Sequence, residues 1–131
     1  AAAAIGCQEA QIAKSMSFKT PEGGALIVVT AGDGKINSGM FKRCFGFKAS
    51  MLKGDDVRTL TGHPIGGVCP FALPDNVPVY LDVSMQRFDH IYPACGSPAS
   101  MATMTPSELE TASQAKGWVD VCKGWREEEE A

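Results

Sequence analysis

Much of what would assign a function quickly is scarce in this 131-residue chain, and each scarcity removes a class of answers. No uninterrupted apolar run is longer than Ala25 to Val29. That is far short of the roughly 20 residues that cross a bilayer, and no signal-peptide pattern opens the chain, so membrane and secretory readings fall. Histidine occurs only as His63 and His90, and the five cysteines (7, 44, 69, 95 and 122) never form a Cys-x-x-Cys pair. Metal-ligand spacing is missing, and an odd, dispersed set of thiols is a poor disulfide framework. Reduced cysteines in a cytoplasmic protein are the expectation. There is no Gly-x-Ser-x-Gly elbow for a serine nucleophile. Gly32-Asp33-Gly34-Lys35 lacks the longer phosphate-cradling pattern and reads as a hairpin turn. No cofactor and no metal are expected.

Basic charge is also in short supply: 12 Lys and Arg stand against 15 Asp and Glu, a formal charge of −3. Broad electrostatic capture of nucleic acid normally needs a visibly basic face, so it is not expected here, and DNA is not an expected partner. The deficit comes from the end of the chain. Without Glu127 to Glu130 the count is 12 to 11, so the body of the protein is near neutral.

With 44% apolar and 21% charged residues in 13.9 kDa, the chain has the composition of one globular domain rather than a disordered segment. The expected organisation is a folded domain over 1–126 and an acidic tail over 127–131. Ala1 to Ile5 suits the end of a helix that begins upstream, and Gln8 to Lys14, with Ala10 and Ala13 at helical spacing, suits a second. From Ser15 the pattern alternates, Met16 and Phe18 against Ser15, Ser17 and Lys19, which is the period of a strand. Pro21, Gly23 and Gly24 make a turn into Ala25 to Thr30, apolar and β-branched enough for a central strand. Asn37 caps a helix through about Phe45, closed by Gly46.

Lys48 to Leu52 reads as a short strand, and Asp55 and Asp56 open a helix to Leu60. Strand signal resumes over Val77 to Val83 and, more weakly, over Phe88 to Tyr92 and Ser100 to Met104. Thr105-Pro106-Ser107-Glu108 combines an N-cap, a first-turn proline and a capping-box glutamate, with Gly117 as the stop and Trp118 to Cys122 returning to the sheet. Strands interleaved with helices imply an α/β (α+β) fold, a mixed sheet with flanking helices.

Residues 62–70, Gly-His-Pro-Ile-Gly-Gly-Val-Cys-Pro, hold three glycines and two prolines, so the chain there forms a shaped loop. Glycines let backbone amides approach a ligand oxygen closely, and such amides can hold a carbonyl oxygen as it becomes negative. A plain turn explains the same composition. Cys69 beside His63 is the nearest approach to a nucleophile and base, although a thiolate needs an electropositive setting. Lys19, on the polar side of its strand beside Ser15 and Ser17, could present a point charge to a phosphate or carboxylate.

Together these segments resemble the YbaK/prolyl-tRNA-synthetase-associated domain family, whose free-standing members are aminoacyl-tRNA deacylases. The resemblance runs from Ile12-Ala13-Lys14-Ser15-Met16-Ser17-Phe18-Lys19-Thr20 through Thr61 to Pro70 and Val79-Tyr80-Leu81-Asp82, and on to Gly96, the helix start at Pro106 to Leu109, and Trp118-Val119-Asp120-Val121. Its most specific elements are Lys19 and the Gly-x-x-x-Pro run Gly66, Gly67, Val68, Cys69, Pro70. It implies a single domain whose mixed, curved sheet surrounds a pocket for the charged 3′ end of a tRNA. It implies that Lys19 anchors the terminal adenosine while Gly66 to Pro70 orient the aminoacyl ester, with Ser17, His63, Ile65, Asp82 and Gly96 as further substrate-binding positions. The expected activity is hydrolysis of a mischarged tRNA carrying a small noncognate amino acid, acting in trans. The expected partner is the aminoacylated acceptor end, with a synthetase or elongation factor as a further one. A noncatalytic module that binds a tRNA end or a nucleotide in the same pocket is the alternative. The resemblance also implies an amino-terminal segment that is only partly present.

Overall fold

The central strand sets the architecture. The computed structural model describes residues 11–53, 55–62, 73, 76–93 and 103–123. In it the run Ala-Leu-Ile-Val-Val-Thr forms β2 (Ala25–Thr30), buried at all six positions. A strand with no polar face must be covered on both sides. It pairs antiparallel with β1 (Ile12–Lys19) and parallel with β4 (Val79–Asp82). β5 (Tyr92–Pro93) adds parallel to the start of β1, and β6 (Gly117–Val119) adds parallel to β4. The result is a mixed five-stranded sheet in the order β5-β1-β2-β4-β6. A two-stranded antiparallel ribbon, β3 (Lys35–Ile36) with β7 (Cys122–Lys123), accompanies it.

Each face of the sheet has its own core. Ala25, Ile27 and Val29 of β2 project with Val79 and Leu81 of β4 into a cluster that includes Val57 and Leu109. That side carries α2 (Asp55–Thr61) and α3 (Pro106–Ser113). Leu26, Val28 and Phe18 project the other way, onto Phe41 of α1 (Ser38–Phe45) and onto Val121 and Cys122. Phe41 is fully buried, with the Phe18 ring 4.8 Å and the Phe45 ring 4.6 Å from its own. The first cluster is aliphatic and the second largely aromatic.

Local chemistry placed several elements where the pattern puts them. Asn37 Oδ1 accepts from the Met40 amide at 2.9 Å, and Gly46, at φ 84°, ends α1. Thr105 and Glu108 form the reciprocal capping box with Pro106 inside the first turn of α3. The β1–β2 hairpin closes as Gly23 N donates to Thr20 O at 3.0 Å, with Gly23 in the left-handed region at φ 85°.

Other expectations are corrected. Ile12 to Lys14 belong to β1 and not to a helix, because the first residues of β1 pair with β5, 80 positions away in register (Ile12 with Tyr92). Lys48 to Leu52 is not a strand but a single bridge, Met51 against Phe18. Gly32-Asp33-Gly34 is a turn, Gly34 N donating to Ala31 O, but the strands it joins pair with β4 and β7, so it closes no hairpin. Residues 83–87 coil into a 3₁₀ turn (Val83–Arg87), and of the weak strand at 88–92 there remain Ile91, in a single bridge with Met104, and Tyr92. Helix α3 stops at Gln114, at φ 55°, short of Gly117, because the Lys116 amide turns to Val79 O at 2.7 Å and starts β6. The helix expected over 1–5, and residues 8–10 of the one expected over 8–14, lie outside the described residues.

Candidate functional site

Lys19 ends β1, where the strand stops pairing with β2 and the hairpin begins. Its backbone is held firmly. The Lys19 amide donates to Ser50 O at 2.8 Å, and the Leu52 amide donates to Ser17 O at 3.1 Å. Those two bonds lash residues 50–52 along the outer edge of β1. Odd-numbered residues of β1 share the face that carries α2. Lys19 is therefore on the same side as α2, exposed, with no ion-pair partner among the described residues.

A cavity of about 310 Å³ opens there, lined by Lys19, Thr20, Gly23, Gly24, Leu52, Asp56, Thr59 and Leu60. The floor and near wall are the hairpin. The far wall is one stripe of α2, since residues 56, 59 and 60 stand at helical spacing on one face. Thr20 Oγ1 accepts from the Gly24 amide at 3.0 Å, which fixes the turn beside the lysine. A Cβ on Gly24 would come within 3.2 Å of that oxygen, so glycine there keeps the lining close. The cavity thus has a cation on one wall, a carboxylate-bearing residue on the opposite one and an apolar patch from Leu52 and Leu60 between. This mix of apolar lining with a few convergent polar groups is what small-ligand sites offer.

Of the other expected site residues, Ser17 and Asp82 are described. Ser17 lies on the same face as Lys19 but is 4% exposed, beneath the 50–52 segment. Asp82 is on β4 and wholly buried: Oδ1 accepts from the Val121 amide and Oδ2 from the Ser84 amide, both at 2.9 Å. Ser84 Oγ in turn accepts from the Ala31 amide at 3.2 Å. Asp82 is a structural tie between β4, the 3₁₀ turn and the chain entering β7, with its oxygens already taken by backbone. Burial, and then the Asp82 carboxylate beside it, push the Cys122 thiol well above its usual value of 9.0. That cysteine is an inert packing group. His63, Ile65, Gly66, Gly67, Val68, Cys69, Pro70 and Gly96 lie outside the described residues.

Sequence reasoning missed the α2 wall. Asp56 was read as a helix-capping acid, and the stripe 56–59–60 becomes visible only once α2 is seen to face the hairpin. A second opening, about 670 Å³, lies by Phe88, His90, the start of α3 and Trp118, whose indole donates to Glu110 Oε1 at 3.0 Å. Among the described residues it holds none of the expected ones, and it spans from the approach to β5 across to Trp118 of β6. Among the described residues no cluster of three or more His, Cys, Asp or Glu is placed to hold a metal, and no helix is long and apolar enough to cross a membrane.

Comparison with known families decides what this framework is. Residues 1–112 match the model of the aminoacyl-tRNA editing domain. The chain belongs to that family. Among its relatives is the uncharacterized protein YwhH of Bacillus subtilis (strain 168), 49% identical over 125 residues, which are 95% of this chain and 80% of the relative. Two solved structures share the fold closely. One is a chain from work on grafting linear epitopes onto scaffold proteins (TM-score 0.85, 30% identity, 95% of this chain and 79% of the other). The other was proposed to be a trans-editing enzyme for prolyl tRNA synthetase (TM-score 0.83, 31% identity, 94% of this chain and 77% of the other). The editing-domain fold therefore extends over nearly all of the chain, β1 with its Lys19 included.

Proposed function

We propose that this editing-domain protein is an aminoacyl-tRNA deacylase that hydrolyses the ester of a mischarged tRNA carrying a small noncognate amino acid, acting in trans in the cytoplasm. The observation that carries the reading is Lys19: an ammonium with no ion-pair partner among the described residues, at the lip of a small cavity, on a strand end pinned by two backbone hydrogen bonds. A compact, strongly hydrated charge of this kind suits a phosphate or ribose oxygen. The likeness to a chain proposed to edit for prolyl tRNA synthetase supports the same substrate class.

In this reading Lys19 anchors the terminal nucleotide, and the backbone of Gly66 to Pro70 aims its amides at the ester carbonyl. His63, Ile65 and Gly96 complete the pocket, and Ser17 and Asp82 hold its walls from behind. Water, a ribose hydroxyl or the amino acid's own side chain adds to the carbonyl carbon. The carbon–oxygen bond to the ribose then breaks, and the proton of the nucleophile passes to the departing ribose oxygen. With water as nucleophile the products are free amino acid and an uncharged tRNA. Where an internal nucleophile attacks, water opens its product in a second step. No protein nucleophile is required, because the ester is labile once held in an attack geometry. Amides preorganised for the developing oxyanion are worth about 10² to 10³ in rate each.

The test is release of amino acid from a panel of mischarged tRNAs by the purified protein. Hydrolysis of at least one small noncognate ester, left intact in a Cys69→Ala variant, is the expected result. Binding of the tRNA end without release would leave a noncatalytic module, and loss of activity on Cys69→Ala would move the chemistry to a thiolate.

A further inference from the structure

The formal charge of −3 hides a local concentration of basic residues. Between residues 42 and 53 the chain carries Lys42, Arg43, Lys48 and Lys53 and no acidic residue. Elsewhere among the described residues seven basic residues stand against nine acidic ones. All four side chains are exposed, and none is ion-paired among the described residues. Lys42 and Arg43 sit in the last turn of α1, where they complement the negative end of the helix dipole. That accounts for two of the four. Lys48 and Lys53 belong to no helix, and Lys53 stands just before Asp55 and Asp56 of α2.

The path of this segment gives it direction. It leaves the end of α1 on one face of the sheet and is fastened to the edge of β1 by the bonds at Ser50 and Leu52. It then delivers Lys53 to the start of α2 on the other face. Leu52, next to Lys53, lines the Lys19 cavity. Exposed cations are thus spaced along the chain that leads from the end of α1 around the β1 edge to the lip where Lys19 stands, with the Arg43 guanidinium turned back along α1 toward Gly39.

We infer that this edge strip is the docking surface for the phosphate backbone of the tRNA acceptor stem, feeding the 3′ end into the Lys19 cavity. The inference rests on the deacylase reading for the occupant of the cavity but extends to a surface that reading does not use. Repeated lone cations along an exposed edge suit a repeating anionic backbone. Such a polymer is held by electrostatic attraction that added salt weakens. The row contacts phosphates rather than base edges, so it supplies affinity and register without sequence preference.

The experiment uses the full chain and an acceptor-stem hairpin RNA with a single-stranded 3′ tail, binding being followed by fluorescence anisotropy from 50 to 200 mM salt. The triple variant Lys42→Ala/Arg43→Ala/Lys48→Ala is compared with Lys116→Ala, an exposed lysine by β6 at the far edge of the sheet. The strip variant is expected to bind about tenfold or more weakly, with the slope of log affinity against log salt shallower by about three, one per lost phosphate contact. Lys116→Ala is expected to bind as the parent does. An unchanged slope in the strip variant, an equal loss in Lys116→Ala, or no RNA binding by the parent would each overturn the inference. So would capture of anionic vesicles without RNA. Binding through the strip with no ester hydrolysed would sink the deacylase reading and leave the docking surface standing.

Discussion

The residue that best separates structure from chemistry is Asp82. A fully buried carboxylate is tolerated when hydrogen bonds replace its water, and here two amides do so. Asp82→Ala strips both acceptors and leaves the Val121 and Ser84 amides orphaned beside a cavity. Buried unmet donors cost about 1 to 3 kcal/mol each, so a loss of about 3 kcal/mol or more is expected in urea unfolding. Asp82→Asn keeps one acceptor and should lose clearly less. If Asp82→Ala unfolds at the parent's midpoint, the tie is not what joins β4 to the approach to β7. Lys19 behaves oppositely, being exposed and contributing little to packing, so its replacement should spare the fold. Both residues stood out in the sequence, but alternation alone cannot tell a solvated lysine from one at a cavity, nor a site aspartate from a buried tie. Only their partners distinguish them.

At the scale of elements, what was legible was whatever short-range chemistry determines. The Asn37 cap, the Gly46 stop, the Thr105–Glu108 box and the Pro21–Gly24 turn each need only neighbours in the chain, and each forms where its residues stand. Thr105→Ala removes the oxygen that accepts from the Glu108 amide at 3.1 Å. It should cost about 1 kcal/mol by urea or thermal unfolding, whereas an unchanged stability would mean that packing alone holds α3. What escaped was set by distant pairing. The first residues of β1 owe their extended form to β5, the early end of α3 to Val79 O, and the lone Met51 bridge to Phe18. No window of ten or fifteen residues contains those partners. The α2 wall of the cavity escaped for the same reason, since its stripe has meaning only opposite the hairpin.

For the whole molecule, two layers cover a mixed sheet, and the described residues of the proposed site other than Asp82 lie toward its β1 edge. β1 carries Lys19, the 50–52 segment clamps the strand, α2 closes the cavity, and the cationic row passes along the same border. A different opening spans from the approach to β5 across to Trp118 of β6, and Asp82 on β4 pairs in register with Val119 of β6. A site at the β1 border suits the proposed deacylase, which would grip only the end of a large substrate, need few phosphate contacts and tolerate a net negative charge. The most direct measurement is single-turnover deacylation of a mischarged tRNA by the parent and by Lys19→Ala, with circular dichroism confirming that both are folded. The account predicts release by the parent and at least a tenfold slower rate for the variant. A folded Lys19→Ala that hydrolyses the ester at the parent's rate would contradict it.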